Sequence, residues 1–166
     1  MITLMIGNVV GLIAVNICKD YGINSIVAYD NKVLYKELGF KVFDSITEVD
    51  SDYRILLSVH GREIVPDNIL NKYIHCVNVH PFYNKFKGKS PVQRALLAGC
   101  KDADVTAHKM TNKVDEGDII CQETKIIVGK TLQEIYSELY PLYARVIKET
   151  VEYYITDDKH YSILCD

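Results

Sequence analysis

Short apolar segments alternate with helical segments through the first half of the chain. The segments ITLMIG, SIVAYD, FKVF, RILLSV and HCVNVH have the length and composition of buried strands. A helix is predicted between the first two, beginning at Asn8 as its cap and ending at Gly22. Strands that alternate with helices pair in parallel and carry helices on both faces of the sheet. The sequence therefore predicts an α/β fold with a mostly parallel sheet and a ligand crevice beyond the carboxyl ends of its strands.

The pattern changes after the fifth predicted strand. PVQRALLAG predicts a helix with Pro91 in its first turn. DVTAHKMT and DIICQETKII predict two further strands, the second of which follows the tight turn DEG. A long helix comes next, which Thr131 and Glu134 begin as a capping box and which Pro141 is expected to kink. With no linker or repeat in view, residues 1–166 are predicted to form a single domain.

Composition narrows the range of partners and compartments. A formal net charge of −3 without a dense block of Lys and Arg argues against nucleic acid as a partner, and the basic segment NKFKGK is interpreted as a solvated loop. The 5 cysteines include no C-x-x-C pair, which favours free thiols in a reducing cytoplasm. Neither a basic leader nor an apolar stretch of membrane-spanning length is present, so we expect no membrane partner and a cytoplasmic location.

The first strand-to-helix junction is a candidate phosphate site. Gly7 and Gly11 lie where backbone N–H groups of a helix N-terminus can bind an anion, and Asp30 ends the next strand where a ribose-binding acid would lie in a dinucleotide fold. An oxidoreductase is therefore one interpretation. The spacing G-x-G-x-x-G is absent, however, and a plain tight turn followed by an exposed aspartate is the alternative.

Two histidines lie on predicted strands near the crevice. His80 ends the fifth strand, and Pro81 then forces the chain out of the strand. Asn78 is two residues earlier, so its side chain points to the same side as that of His80. His108 lies on a later strand and faces the same way as Thr106. For each histidine alone, a purely structural role is the alternative.

Acidic residues occur together in the segment VDEGDII. Asp115, Glu116 and Asp118 are all residues that a tight turn between strands uses, and their spacing does not decide which of them reaches a site. No set of His, Cys and carboxylate residues has metal-ligand spacing, so we expect no metal. The absence of G-x-S-x-G also removes the usual serine nucleophile from consideration.

Residues 54–122 resemble the catalytic core of the 10-formyltetrahydrofolate-dependent formyltransferases, a family that acts on glycinamide ribonucleotide, methionyl-tRNA and sugar nucleotides. The similarity rests on ordered motifs: an Asn-x-His at a strand end, a G-x-x-P-x-x-R-A helix start, a V-T-x-H strand and an Asp-x-Gly loop. They correspond here to residues 78–80, 88–95, 105–108 and 115–117. The resemblance implies a Rossmann-like formyltransferase fold, here with a shortened N-terminal half.

The same resemblance implies the chemistry of the site. The Asn78 amide and a protonated His80 would stabilise the oxyanion that forms when an amine attacks the formyl carbon. Asp115 would orient His80, favour its charged form and help to move a proton from the attacking amine to the leaving nitrogen.

The resemblance also implies where the two substrates bind. The cosubstrate 10-formyltetrahydrofolate would lie against the Asp115 loop and against Arg62, Glu63, Ile64 and Val65, largely on their backbone groups. The amine acceptor would approach from the side of Gly7 and Asn8, and His108 would add a polar group to the site. The segment FYNKF after the His-Pro pair departs from the Ser-Leu-Leu-Pro of many family members, which affects the expected folate pose.

The acceptor is expected to be a small primary amine, with an amino sugar on a nucleotide carrier first and glycinamide ribonucleotide second. The family's tRNA enzymes use a C-terminal domain, for which a chain ending at residue 166 leaves no room. A formyltetrahydrofolate hydrolase and a non-catalytic folate- or nucleotide-binding module are the alternatives. The tyrosines of the last helix are a candidate homodimer surface, with ordinary packing on the sheet as the other interpretation. These are Tyr136, Tyr140, Tyr143, Tyr153 and Tyr154.

Overall fold

The computed structural model describes residues 1–50 and 54–163, with side chains to residue 156. Seven strands form one sheet in the order β3-β2-β1-β4-β5-β6-β7, in which β1 to β5 are parallel and β6 and β7 are antiparallel additions at one edge. The strands are β1 (Ile2–Ile6), β2 (Ile23–Ala28), β3 (Val42–Phe43), β4 (Ile55–Val59), β5 (His75–Pro81), β6 (Asp102–Lys109) and β7 (Ile119–Ile126). The helices are α1 (Asn8–Cys18), α2 (Lys32–Glu37), α3 (Asp67–Leu70), α4 (Pro91–Leu97) and α5 (Leu132–Ile163). The predicted α/β fold with a mostly parallel sheet is confirmed.

Register places the ends of the central strands side by side. Ile6 of β1 pairs with Val59 of β4, and Val59 pairs with Val79 of β5. The residues that follow these strands therefore meet at one edge of the sheet. Parallel α/β sheets bind ligands at this carboxyl edge.

Helices cover both faces of the sheet, as the alternation of elements predicts. The larger core lies between the sheet and helices α1, α4 and α5. The smaller core lies on the opposite face, beneath α3 and the 3₁₀ turn Ile46–Glu48. Val77 and Val79 point into the larger core, so the alternation of β5 turns Asn78 and His80 toward the other face.

One helix start differs from the sequence prediction and another agrees with it. Gly7, not Asn8, is the N-cap of α1, and the Asn8 N–H donates to Asp30 at 2.8 Å instead of being satisfied by a local cap. The capping box of the last helix is confirmed, since Thr131 Oγ1 accepts from Glu134 N at 3.2 Å and Glu134 Oε2 accepts from Thr131 N at 2.9 Å. Helix α5 continues through Pro141 to Ile163.

Most tyrosines of α5 pack against the sheet. Tyr143 and Tyr154 are buried in the larger core, and Tyr136 and Tyr140 pack against it, whereas Tyr153 is 55% exposed. Packing accounts for four of these five side chains, and the homodimer stays a prediction.

Two other predictions, on membrane-spanning helices and on free cysteines, are examined only within the described residues. None of the helices in the described part of the chain has the length and apolar character that crossing a membrane requires. Cys18, Cys76, Cys100 and Cys121 are free thiols. Cys165 lies outside the described residues, as does the end of the acidic connector, residues 51–53.

Candidate active site

The Asn-x-His motif lies on β5 as the strand periodicity predicts, and β6 supplies the facing residues. Antiparallel register puts His108 directly opposite Asn78, and Thr106 opposite His80. Asn78 Nδ2 lies 3.3 Å from His108 Nε2. His80 and His108 are 7% and 2% exposed, so both imidazoles are largely removed from water.

The turn between β6 and β7 brings one of the three candidate acids into this cluster. Asp115 has a φ of 52° and is 5% exposed. Gly117 allows the turn to fold back, because a Cβ at this position would lie 1.8 Å from the Lys109 carbonyl oxygen. Glu116 and Asp118 point outward and lie beside Lys113 and Lys109. The fold thus selects Asp115, which spacing alone could not do.

Asp115 contacts three polar side chains of the two strands. Its Oδ1 accepts from Asn78 Nδ2 at 3.2 Å and lies 3.4 Å from His108 Nε2, while its Oδ2 lies 3.1 Å from His80 Nε2. Asn78, His80 and Asp115, which the sequence singles out as catalytic candidates, therefore meet in space. His108 faces both Asn78 and Asp115 and is almost fully buried.

A backbone segment that sequence reasoning missed closes one side of the cluster. The Gly88 N–H donates to Asp115 Oδ2 at 2.7 Å, and His80 Nε2 lies 3.2 Å from the Gly88 carbonyl oxygen. The basic loop that the sequence predicts to be merely solvated is thus attached to the site at this glycine.

The surroundings of Asp115 keep its carboxyl group ionised. Burial alone would raise the pKa of Asp115, but hydrogen bonding with His108, the charge of His80 and the Gly88 N–H outweigh burial and lower the pKa to about 2. For His80, burial is the largest effect and lowers the pKa below its ordinary value, against the opposing influence of Asp115 and the Gly88 carbonyl. This direction favours the neutral ring at pH 7, whereas the resemblance implies a protonated His80.

The neutral His80 ring has one defined tautomer. Nε2 faces two acceptors, the Asp115 carboxylate and the Gly88 carbonyl, so it carries the proton. Nδ1 is then an acceptor, and it is buried without a hydrogen-bond partner in the described part of the chain. Such an unsatisfied buried group is uncommon, and active sites are one place where it occurs.

Tyr83 links the two halves of the cluster, and the sequence flagged it only as part of a departure from the family pattern. Its N–H donates to Asp104 Oδ2 at 2.9 Å, and its hydroxyl donates to the Gly117 carbonyl at 2.8 Å. Its ring lies 4.6 Å from the ring of His108. Tyr83 therefore fixes the Asp115 turn to the segment that follows His80.

Replacing Tyr83 with phenylalanine is expected to loosen the Asp115 turn. Loss of the hydrogen bond to Gly117 should lower the free energy of unfolding by about 1 kcal/mol. Turnover should fall by about tenfold, because catalysis is sensitive to displacements of about an ångström. Urea unfolding and steady-state formyl transfer measure the two effects. Tyr73→Phe is a matched control, since Tyr73 is 8% exposed and its hydroxyl bonds to Thr3 away from Asp115. Equal turnover of the two variants would show that Tyr83 has no positioning role.

Residues 62–65, the candidate folate-binding segment, lie beside the central strands with their polar side chains turned toward β2. Arg62 forms an ion pair with Asp30 and lies over the ring of Tyr29 at 5.7 Å. Glu63 accepts from the hydroxyl groups of Tyr29, at 2.8 Å, and Ser45, at 2.6 Å.

The second half of this segment is apolar and divided between solvent and core. Ile64 is 79% exposed, whereas Val65 is 9% exposed and packs in the smaller core. Val65 anchors the segment, and Ile64 offers an apolar surface.

The Gly7–Asn8 junction does not have a free anion site. The Asp30 carboxylate accepts the Asn8 N–H, which is the main reason that the pKa of Asp30 is lowered. A carboxylate thus already satisfies the helix N-terminus where a dinucleotide phosphate would bind. Gly7 is needed for close packing, because a Cβ there would lie 2.8 Å from the carbonyl oxygen of His60. In the described part of the chain, no cluster of three or more His, Cys, Asp or Glu side chains is placed to hold a metal ion.

The chain is similar in structure to several solved proteins. It superimposes on a sugar 3N-formyl transferase crystallised with dTDP and 5-N-formyl-THF with a TM-score of 0.78 and 19% identity, over 94% of this chain and 63% of that one. The phosphoribosylglycinamide formyltransferase of Anaplasma phagocytophilum gives a TM-score of 0.75 with 18% identity, over 94% and 87% of the two chains. At these identities the similarity establishes the fold.

Sequence comparison identifies the family. The methionyl-tRNA formyltransferase of Pelotomaculum thermopropionicum is 30% identical over 127 residues, which are 69% of this chain and 41% of that enzyme. That of Orientia tsutsugamushi is 31% identical over 111 residues, 65% of this chain and 36% of the relative. The chain therefore spans less than half the length of these curated relatives. The formyl transferase family matches residues 14–151, so the chain belongs to the formyl transferase family.

Proposed function

We propose that this domain, residues 1–166, transfers the formyl group of 10-formyltetrahydrofolate to the primary amine of a small acceptor. The observation that carries the proposal is the convergence of Asn78, His80 and Asp115 at the carboxyl edge of the sheet. Membership of the formyl transferase family supports the donor, and so does a structural neighbour crystallised with 5-N-formyl-THF.

The reaction places negative charge on one oxygen. The neutral amine nitrogen attacks the formyl carbon, a C–N bond forms, and the carbonyl oxygen becomes an oxyanion. Asn78 Nδ2–H and His80 Nε2–H, which here face Asp115, would turn to that oxygen as donors. Each such donor typically contributes about 3 kcal/mol to the stability of the transition state. The bond from the formyl carbon to the folate nitrogen then breaks, and the proton lost by the amine is taken up by that nitrogen.

Asp115 supports this reaction mainly through its charge. A carboxyl group with a pKa of about 2 is a weak base, so it holds the transferred proton only briefly. Its larger contribution is to orient His80 and to stabilise positive charge on the attacking nitrogen, which it can do because it is ionised and buried. His108 holds Asp115 from the opposite side.

The two substrates are proposed to approach from different sides. The folate pterin would bind the backbone of Arg62, Glu63, Ile64 and Val65 and the Asp115 loop. The acceptor would lie beside Gly7 and Asn8. We infer an amino sugar on a nucleotide carrier before glycinamide ribonucleotide, which a structural neighbour supports, since it is a sugar 3N-formyl transferase crystallised with dTDP.

We also propose a cytoplasmic setting without nucleic acid or membrane as partner. The free thiols support a reducing compartment, and the net charge of −3 argues against polyanions. A homodimer would involve the exposed Tyr153.

A screen of amines tests the proposal directly. Incubation with 10-formyltetrahydrofolate and a panel of dTDP- and UDP-linked amino sugars and glycinamide ribonucleotide is expected to add the mass of one formyl group to an amino sugar. Mass spectrometry detects this product, and omission of protein is the control. Formate released without an amine would identify a hydrolase instead. Binding of a folate analogue by calorimetry without any turnover would identify a binding module.

A further inference from the structure

His60 departs from the geometry that its place in the chain predicts. Val59 ends β4 with its side chain in the larger core, so regular alternation would turn His60 to the opposite face. A φ of 58° instead brings its ring against Tyr136 and Tyr143 of α5, with centroid distances of 6.1 and 5.5 Å. A positive φ outside glycine costs conformational energy, and such residues cluster at functional sites.

The hydroxyl of Tyr143 fixes the proton of this histidine. Tyr143 is 0% exposed, and among the described side chains its hydroxyl has one hydrogen-bond partner, His60 Nε2 at 2.8 Å. If Nε2 donated to the hydroxyl oxygen, the hydroxyl hydrogen would be buried without an acceptor. The hydroxyl therefore donates to Nε2, and the imidazole proton lies on Nδ1. Burial also lowers the pKa of His60 to about 4, which keeps the ring neutral at pH 7.

The Nδ1–H of His60 is open to a ligand. Among the described residues, His60 Nδ1 has no hydrogen-bond partner. In that part of the chain, His80 Nδ1 is the one side-chain atom that is both buried and unpartnered, so the unpartnered His60 Nδ1 is not a buried atom. The pairing of Val59 with Val79 puts His60 beside the catalytic strand end, and the His60 carbonyl lies against Gly7. His60 thus stands where the proposed acceptor side meets His80.

We propose that His60 is an acceptor-binding residue whose Nδ1–H donates to an oxygen of the amine substrate, with Tyr143 as the residue that positions it. The inference rests on the proposed function for the identity of the ligand. Its physical basis, a single tautomer imposed by a buried hydroxyl, is independent of turnover.

The tautomer is measured by two-bond ¹H–¹⁵N NMR on protein labelled at histidine, with the His60 signals assigned from the His60→Gln spectrum. The wild-type protein is expected to carry the proton on Nδ1 at pH 7. Tyr143→Phe should shift His60 toward the Nε2–H form. An Nε2–H tautomer in the wild-type protein would overturn the proposal, whether or not the protein is an active transferase.

Binding is tested with two variants that each keep one ring nitrogen's position. The amide nitrogen of Asn matches Nδ1 and that of Gln matches Nε2, and Asn also tolerates positive φ. Calorimetry with a dTDP-linked amino sugar and with glycinamide ribonucleotide is expected to show a Kd about fivefold to tenfold higher for His60→Gln than for His60→Asn with the probe that binds. The Kd of a folate analogue should be unchanged. Equal acceptor Kd values for the two variants, a matching change in folate Kd, or wild-type protein that binds neither amine would each overturn the assignment.

Discussion

His80→Ala is expected to reduce turnover by about a hundredfold or more, because it removes one of the two side-chain donors for the developing oxyanion. The loss should appear in kcat, since this hydrogen bond strengthens as the formyl oxygen gains charge, whereas KM for 10-formyltetrahydrofolate should change little. Steady-state transfer to the amine found in the screen measures both constants. The domain should still fold, because Asp115 keeps its contacts with Asn78, His108 and Gly88.

Two further variants separate chemistry from packing in this experiment. His80→Gln keeps a donor near the position of Nε2 and should retain more activity than His80→Ala. His75→Ala removes the histidine at the other end of the same strand, which stacks on Tyr154 at 4.1 Å, and should leave kcat near the wild-type value. Near-normal turnover of His80→Ala would remove His80 from the mechanism.

The order of strands and helices follows from local sequence pattern. Runs of β-branched residues interrupted by helical segments leave little choice but a parallel sheet, and a period of two puts Asn78 and His80 on one side of β5. Two of the three proposed catalytic side chains thus lie within seven consecutive residues, His75–Pro81.

The position of the third residue, Asp115, depends on contacts that no local pattern encodes. Asp115 is distinguished from Glu116 and Asp118 only by its positive φ and by the close approach of Gly117 to the Lys109 carbonyl. The tertiary neighbours decide which acid faces inward.

The residues that contact the site residues could not be identified from local sequence either. Gly88 and Tyr83 reach the cluster through a backbone amide and a phenol hydroxyl, groups that occur throughout the sequence. The turn of the His60 ring toward α5 depends on one backbone angle, its φ of 58°. Each is a consequence of packing between segments far apart in the chain.

Asp115→Asn is the most informative change in the site, because Asn has nearly the same shape and also tolerates a positive φ. We expect turnover to fall by about a hundredfold, since the neutral amide neither holds a proton nor stabilises positive charge on the amine. Asp118→Asn is the matched control, because Asp118 is an exposed acid of the same turn and its side chain is 85% exposed. Transfer rates near those of the control would exclude a role for the Asp115 charge.

The same substitution should change stability in a way that depends on pH. The folded pKa of about 2 lies below the ordinary value of 3.8. By linkage, ionisation of Asp115 therefore stabilises the fold by about 2 kcal/mol, fully above pH 4 and less as the pH falls toward 2. Asp115→Asn should lose that stability at pH 7, and because its amide has one acceptor oxygen instead of two, either Asn78 Nδ2 or the Gly88 N–H also loses its acceptor. Urea unfolding at pH 7 and pH 3 is expected to show a deficit relative to wild type that narrows in acid, because the wild-type carboxylate is then becoming protonated. A deficit of constant size would mean that ionisation of Asp115 does not contribute to stability, and the charge that the proposed mechanism assigns to Asp115 would then have no measurable influence on the site.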